Sequence, residues 1–248
     1  MNIFRTFWRS VKDLFEDLFI LGIVNILWVL INAPLGLALL LVANSTGLIF
    51  IVLLLGVLTI GPANAGLYAI AERVADGRTS SWRDFFAGLR ANAVLSWKVY
   101  GLWMLGLLVI LFNLQFYNLN GSLFGSIVSI LFLYLGLVWF GTLIYIGPLM
   151  QIQTDKRIRT IARNAALMTF GRPVFTIVTL LMMTVIMVTS IWLPILAILA
   201  AISFMAIWSF RATLTLIAEA DARRNKAEEA ASAKPPDKGR GGQIRPRE

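Results

Sequence analysis

Residues 60–86 read IGPANAGLYAIAERVADGRTSSWRDFF. The stretch starts inside an apolar run, carries Gly61-Pro62, meets its first charge at Glu72 and ends in a basic, aromatic segment. Upstream, no Asp, Glu, Lys or Arg occurs from residue 18 to 71. The same holds for 99–154 and 173–210, and the three stretches are 54, 56 and 38 residues long. One helical crossing of a bilayer needs about 20 apolar residues, so each stretch accommodates a hairpin of two crossings. No segment alternates with period two as a barrel strand does. A backbone in lipid must also satisfy its own polar groups, which leaves the helix as the spanning element.

Composition agrees. The chain has 248 residues, 58% of them hydrophobic, and a mean hydropathy of +0.79, against about 45–50% apolar in soluble domains. It has no Cys and no His. Disulfides, thiolate chemistry and Cys/His metal or haem sites are therefore excluded. No phosphate loop, HExxH or GxSxG occurs, and no span core holds an acid or base. We expect no cofactor, no metal and no enzyme activity. A site built from the loop carboxylates Glu72, Asp76 and Asp84 has no support in the pattern.

Three charge-free turns divide the hairpins: VANSTG at 42–47, NLQFYNLNGS at 113–122 and TSIWLP at 189–194. All 22 Lys and Arg fall in the other segments, at the N-terminus, in 72–98, in 155–172 and from Arg211 on. Basic loops stay in the cytoplasm, so both termini are expected there, in a multi-pass membrane protein. The reading is all-α: a polytopic bundle of six transmembrane helices, with interfacial elbow helices. The spans are roughly 18–42, 47–71, 99–113, 122–150, 173–190 and 194–217. Residues 1–17 form an amphipathic interfacial helix, 18–217 the six-span domain and 218–248 a basic cytoplasmic tail, disordered beyond about residue 225. The first span reads as uncleaved, because no small-residue cleavage site follows a short apolar region. The tail's single GRGG is weak ground for RNA binding; a solvated tail near anionic lipid explains its charge, and no nucleic-acid partner is expected.

Ser81-x-x-Asp84 has the form of a capping box, opening an elbow helix whose Trp82, Phe85 and Phe86 share a face, with Arg90 beyond. These four are the candidate partner-binding surface. Gly61-Pro62 recurs as Gly147-Pro148, and RANAVLSW at 90–97 echoes RNAALMTF at 163–170, a weak parallel repeat. Each proline removes a backbone donor and kinks its helix, and neighbouring helices can satisfy the freed carbonyl. Asn25 and Asn32, seven apart on one face, and Asn64, just past the kink, are candidates for interhelical hydrogen bonds or for a polar path along Gly61, Pro62, Gly147 and Pro148. Packing is the better-founded reading. Gly121-xxx-Gly125 and Gly61-xxx-Ala65 permit close helix approach.

NILWVLINAPLG at 25–36, TIGPANAGLYAIAERVADGR at 59–78 and SWRDFFAGLRAN at 81–92 together resemble the YesL-type family of bacterial membrane proteins, a domain of unknown function. The positions carrying the likeness are Asn25, Trp28, Gly61, Pro62, Ala63, Tyr68, Phe85 and Phe86, concentrated within 20–100. The resemblance implies an integral membrane protein in the setting of carbohydrate uptake and supplies no catalytic residues. The expected function is therefore a non-enzymatic accessory or scaffold for solute uptake in the bacterial plasma membrane, with the bilayer and a transport permease or other membrane protein as partners. The alternative is a transporter or channel whose path follows the asparagines and the Gly-Pro kinks.

Overall fold

The computed structural model describes residues 3–119 and 122–232. All regular structure among them is helical: α1 (Ile3–Glu16), α2 (Leu18–Leu41), α3 (Thr46–Ala75), α4 (Trp82–Leu119), α5 (Leu123–Ile152), α6 (Ile158–Gly171), α7 (Pro173–Trp192), a single turn α8 (Pro194–Leu196), a π-helical segment (Ala197–Ala201) and α9 (Ile202–Ser232). Six segments are long and apolar enough to cross a membrane: α2, α3, α4, α5, α7 and the last, running from Ile198 into α9. Their outward faces carry exposed Leu, Ile, Val and Phe such as Leu30, Leu55, Leu105, Leu131 and Val185. Such a belt is costly in water and natural against acyl chains.

Inside, Leu21, Val24, Leu67, Ile70, Phe85, Ile207 and Phe210 join α2, α3, α4 and α9 in one apolar core. Val99, Trp103, Tyr145, Leu149, Ile161 and Phe175 join α4, α5, α6 and α7 in a second.

Helix α1 has three sectors, as 3.6 residues per turn dictates. Ile3, Thr6, Ser10 and Asp13 are buried, packed towards α9. Phe4, Trp8 and Phe15 form an outward apolar ridge, each 70% exposed. Arg5, Arg9, Lys12 and Glu16 make the third sector. The Asp13 carboxylate receives Arg211 of α9 at 2.7 and 3.0 Å, both side chains being largely buried. At the joint to α2, burial first, and then the charges of Glu16 and Asp13, push the Asp17 carboxyl above its ordinary value.

Four expectations need correction. The elbow at 81 is not a separate helix. Asp84 does bond the Ser81 N–H (2.8 Å) and hydroxyl (2.9 Å) at the start, but α4 then runs unbroken to Leu119. No proline interrupts it, so the third span and its elbow are one rod, and the turn expected at 113–122 is helical to 119. The second elbow, α6, is distinct from α7, because Pro173 disfavours a helical Arg172 and breaks the run. The two halves of the repeat thus differ at this joint. The sixth span is not one helix: it opens with α8 and the π-helical segment. Finally, the stretch from about 225 to 232, expected to be disordered, continues α9. Its alanines are strong helix formers, and Arg224 pairs with Asp221 at 3.7 Å and Glu228 at 3.7 Å. The rest of the expected tail, from 233, and Gly121 of the GxxxG pair lie outside the described residues.

Candidate functional site

The candidate site is the polar seam running through the bundle centre. Asn25 is fully buried on α2. Its Nδ2 donates to the Ile198 carbonyl (2.6 Å), and its Oδ1 accepts the backbone N–H of Ile202 and of Ser203, both at 3.0 Å. Ser203 Oγ returns a bond to the Leu21 carbonyl (2.9 Å). A helix start in apolar surroundings leaves donors without intrahelical partners, and one asparagine from another span caps this one. Asn32, on the same face, does something different. Its Nδ2 donates to its own helix at Trp28 (2.9 Å), and its buried Oδ1 has no hydrogen-bond partner.

Both Gly-Pro kinks are resolved by neighbouring side chains. Pro62 cannot donate to the Leu58 carbonyl; the Trp97 indole of α4 does so at 3.1 Å. Pro148 cannot donate to Ile144; Ser209 Oγ of α9 does. The Tyr68 hydroxyl in turn donates to Ser209 at 3.3 Å. The glycines permit the approach. A Cβ at Gly61 would stand 3.3 Å from Ser96, and one at Gly147 would stand 1.9 Å from the Tyr68 ring. Asn64 Oδ1 accepts the Trp28 indole N–H at 2.8 Å.

Beside this seam lies a cavity of about 380 Å³. Trp28, Asn64, Tyr68, Tyr100 and Ser209 line it together with apolar Phe140, Leu143, Leu180, Met183 and Met187. No lining residue carries a carboxylate, ammonium or guanidinium. Its lining is mostly apolar, with Asn64, Tyr68, Tyr100, Thr184 and Ser209 as the polar groups beside Trp28, and it suits a molecule without net charge. Of the predicted residues, Asn64 lines the cavity and Asn25 and Asn32 do not; Asn25 and the two Gly-Pro kinks are each met by a neighbouring helix in separate contacts.

The elbow surface needs correction. Phe85 is fully buried, its ring and carbonyl against Gly66, where a Cβ would stand 2.6 Å from the Phe85 carbonyl. It cannot meet a partner. Phe86 packs partly buried beside it with rings 5.4 Å apart. Trp82, 49% exposed and under the Arg83 guanidinium at 5.4 Å, and Arg90 remain outward.

Sequence reasoning missed other members. Trp103 and Trp139 clasp α4 to α5 reciprocally, each indole donating to the other's carbonyl at 3.2 and 3.0 Å. Gly106 leaves the room, since a Cβ there would stand 2.2 Å from Trp139. Gln151 donates to the Ala65 carbonyl (3.0 Å), and Asn92 receives Lys156 (3.0 Å). A proline's i−4 carbonyl is predictable from sequence; which distant donor reaches it is not.

No curated protein and no solved structure matches the chain. Residues 21–114, which cover most of α2, all of α3 and most of α4, match the model of a family described as protein of unknown function, DUF624.

Proposed function

We propose that the chain is a non-enzymatic accessory to solute uptake, of the YesL type, in the bacterial plasma membrane. In this reading the Arg-rich end and both termini face the cytoplasm, following the distribution of basic residues, and a transport permease is the partner. The carbohydrate setting comes from the resemblance carried by 25–92. One observation supports an accessory over a carrier: Asn25, the most deeply buried span amide, makes three hydrogen bonds to the backbone around the start of α9, one donated and two accepted. Amides so engaged hold a bundle together and are withheld from a passing solute.

A second reading, a transporter, draws on the 380 Å³ cavity beside Asn64. Its mostly apolar lining suits a neutral amphipathic solute better than a sugar, whose hydroxyls would lack partners. The two readings separate experimentally. The chain is purified from native membranes in nanodiscs, co-purifying proteins are identified by mass spectrometry, and the chain alone is assayed for solute flux in vesicles. A stoichiometric permease with no flux supports the accessory. Flux by the chain alone that Asn64→Leu abolishes transfers the assignment to the transporter.

A further inference from the structure

A second cavity lies at the Arg-rich end, between the two helices that begin and end the described chain. It is a groove of about 510 Å³, lined by Arg5, Thr6 and Arg9 of α1 and by Arg211, Thr215 and Glu219 of α9, among others. The acids nearby are already engaged. Asp13 holds Arg211 with both carboxylate oxygens, at 2.7 and 3.0 Å, and Glu219 is ion-paired with Arg172. Thr6 and Thr215 meet across the groove, Oγ1 to Oγ1, at 3.3 Å. Arg5 and Arg9 stand one helical turn apart, both exposed. Among the described residues neither has a carboxylate within ion-pair distance. The Thr215 hydroxyl donates to the Arg211 carbonyl at 2.8 Å, so the two threonines are spent on the protein. The groove therefore has two unneutralised guanidinium forks and a third held rigid by Asp13.

We propose that this groove binds a phosphate group. Paired guanidinium forks match the several acceptor oxygens and double charge of a phosphate. A single carboxylate would leave one arginine unmatched. Two sources share this chemistry, a phosphorylated solute and an anionic lipid headgroup. The wheel of α1 favours the solute. The ridge of Phe4, Trp8 and Phe15 marks the lipid side, and Arg5, Thr6 and Arg9 lie on average more than a third of the circumference away from it. The groove thus opens away from the lipid-facing ridge.

The test uses the full chain in phosphatidylcholine nanodiscs, titrated with pyrophosphate by calorimetry. Saturable binding is expected, weakened about tenfold by Arg5→Gln and lost in Arg5→Gln/Arg9→Gln. Arg83→Gln/Arg90→Gln, elsewhere on the same end, should bind as the parent does. In a second arm, nanodiscs containing phosphatidylglycerol are examined by native mass spectrometry for retained lipid. Retention that depends on Arg5 and Arg9, without pyrophosphate binding, keeps the phosphate site but overturns the soluble source. Pyrophosphate binding that survives the double substitution, or no variant-sensitive binding in either arm, overturns the proposal. Both arginines are exposed, so an unchanged thermal unfolding profile identifies a folded double variant.

Discussion

The Trp97 indole N–H lies 3.1 Å from the Leu58 carbonyl, the acceptor that Pro62 leaves without a helical donor. The kink is therefore a two-helix device: α3 bends, and α4 provides the missing bond. Trp97→Phe should keep the packing and lose the donor, costing about 0.5–1.5 kcal/mol. In a Pro62→Ala background the helix supplies its own N–H to Leu58, and the same substitution should cost almost nothing. Unfolding titrations of the four variants in mixed micelles measure this coupling. Additive effects would show that the indole bond contributes nothing specific to the kink.

The two asparagines of α2 should behave oppositely. Asn25→Leu leaves the Ile198 carbonyl and the N–H groups of Ile202 and Ser203 without their partner and should cost about 2–4 kcal/mol. Asn32→Leu removes an Oδ1 that has no partner and should be neutral within about 0.5 kcal/mol. The same mixed-micelle titration compares them, and equal losses at the two sites would refute the assignment.

Phe85 and Trp82 separate structure from surface. Phe85→Ala opens a cavity against Gly66 and should cost about 3–5 kcal/mol. Trp82→Ala, on an exposed ring, should change stability little. Thermal unfolding reads both, and a tolerant Phe85 would contradict its burial.

The spans were legible because charge is excluded from lipid over lengths that leave few alternatives; of the expected turn at 42–47, residues 42–45 fall between α2 and α3, whereas at 189–194 the helix continues to Trp192 and only Leu193 separates α7 from α8. The fused elbow was harder to see. Trp82-Arg83-Asp84-Phe85-Phe86 has the make-up of a surface helix, and only the room at Gly66 and at Gly88, where a Cβ would stand 2.4 Å from Ala69, brings Phe85 inside. Those glycines were visible, but their register against each other is a property of two helices. The π-helical start of the sixth span was out of reach for a similar reason. Pro194 signals a break, yet the break is held by a residue on α2. The tail was misread because charge and alanine were weighed as solubility when they are also helix propensity.

The bonds from Asn25 to 198, 202 and 203, from Asp13 to Arg211 and from Thr6 to Thr215 share one property: each joins the beginning of the chain to its last span. A ribosome delivers these partners in sequence, so the first span enters the bilayer four crossings before the backbone that Asn25 bonds at 198, 202 and 203. Until α9 arrives, no intermediate can close the ring. Closure of the bundle is therefore the last event of synthesis, and it joins the first span to the sixth.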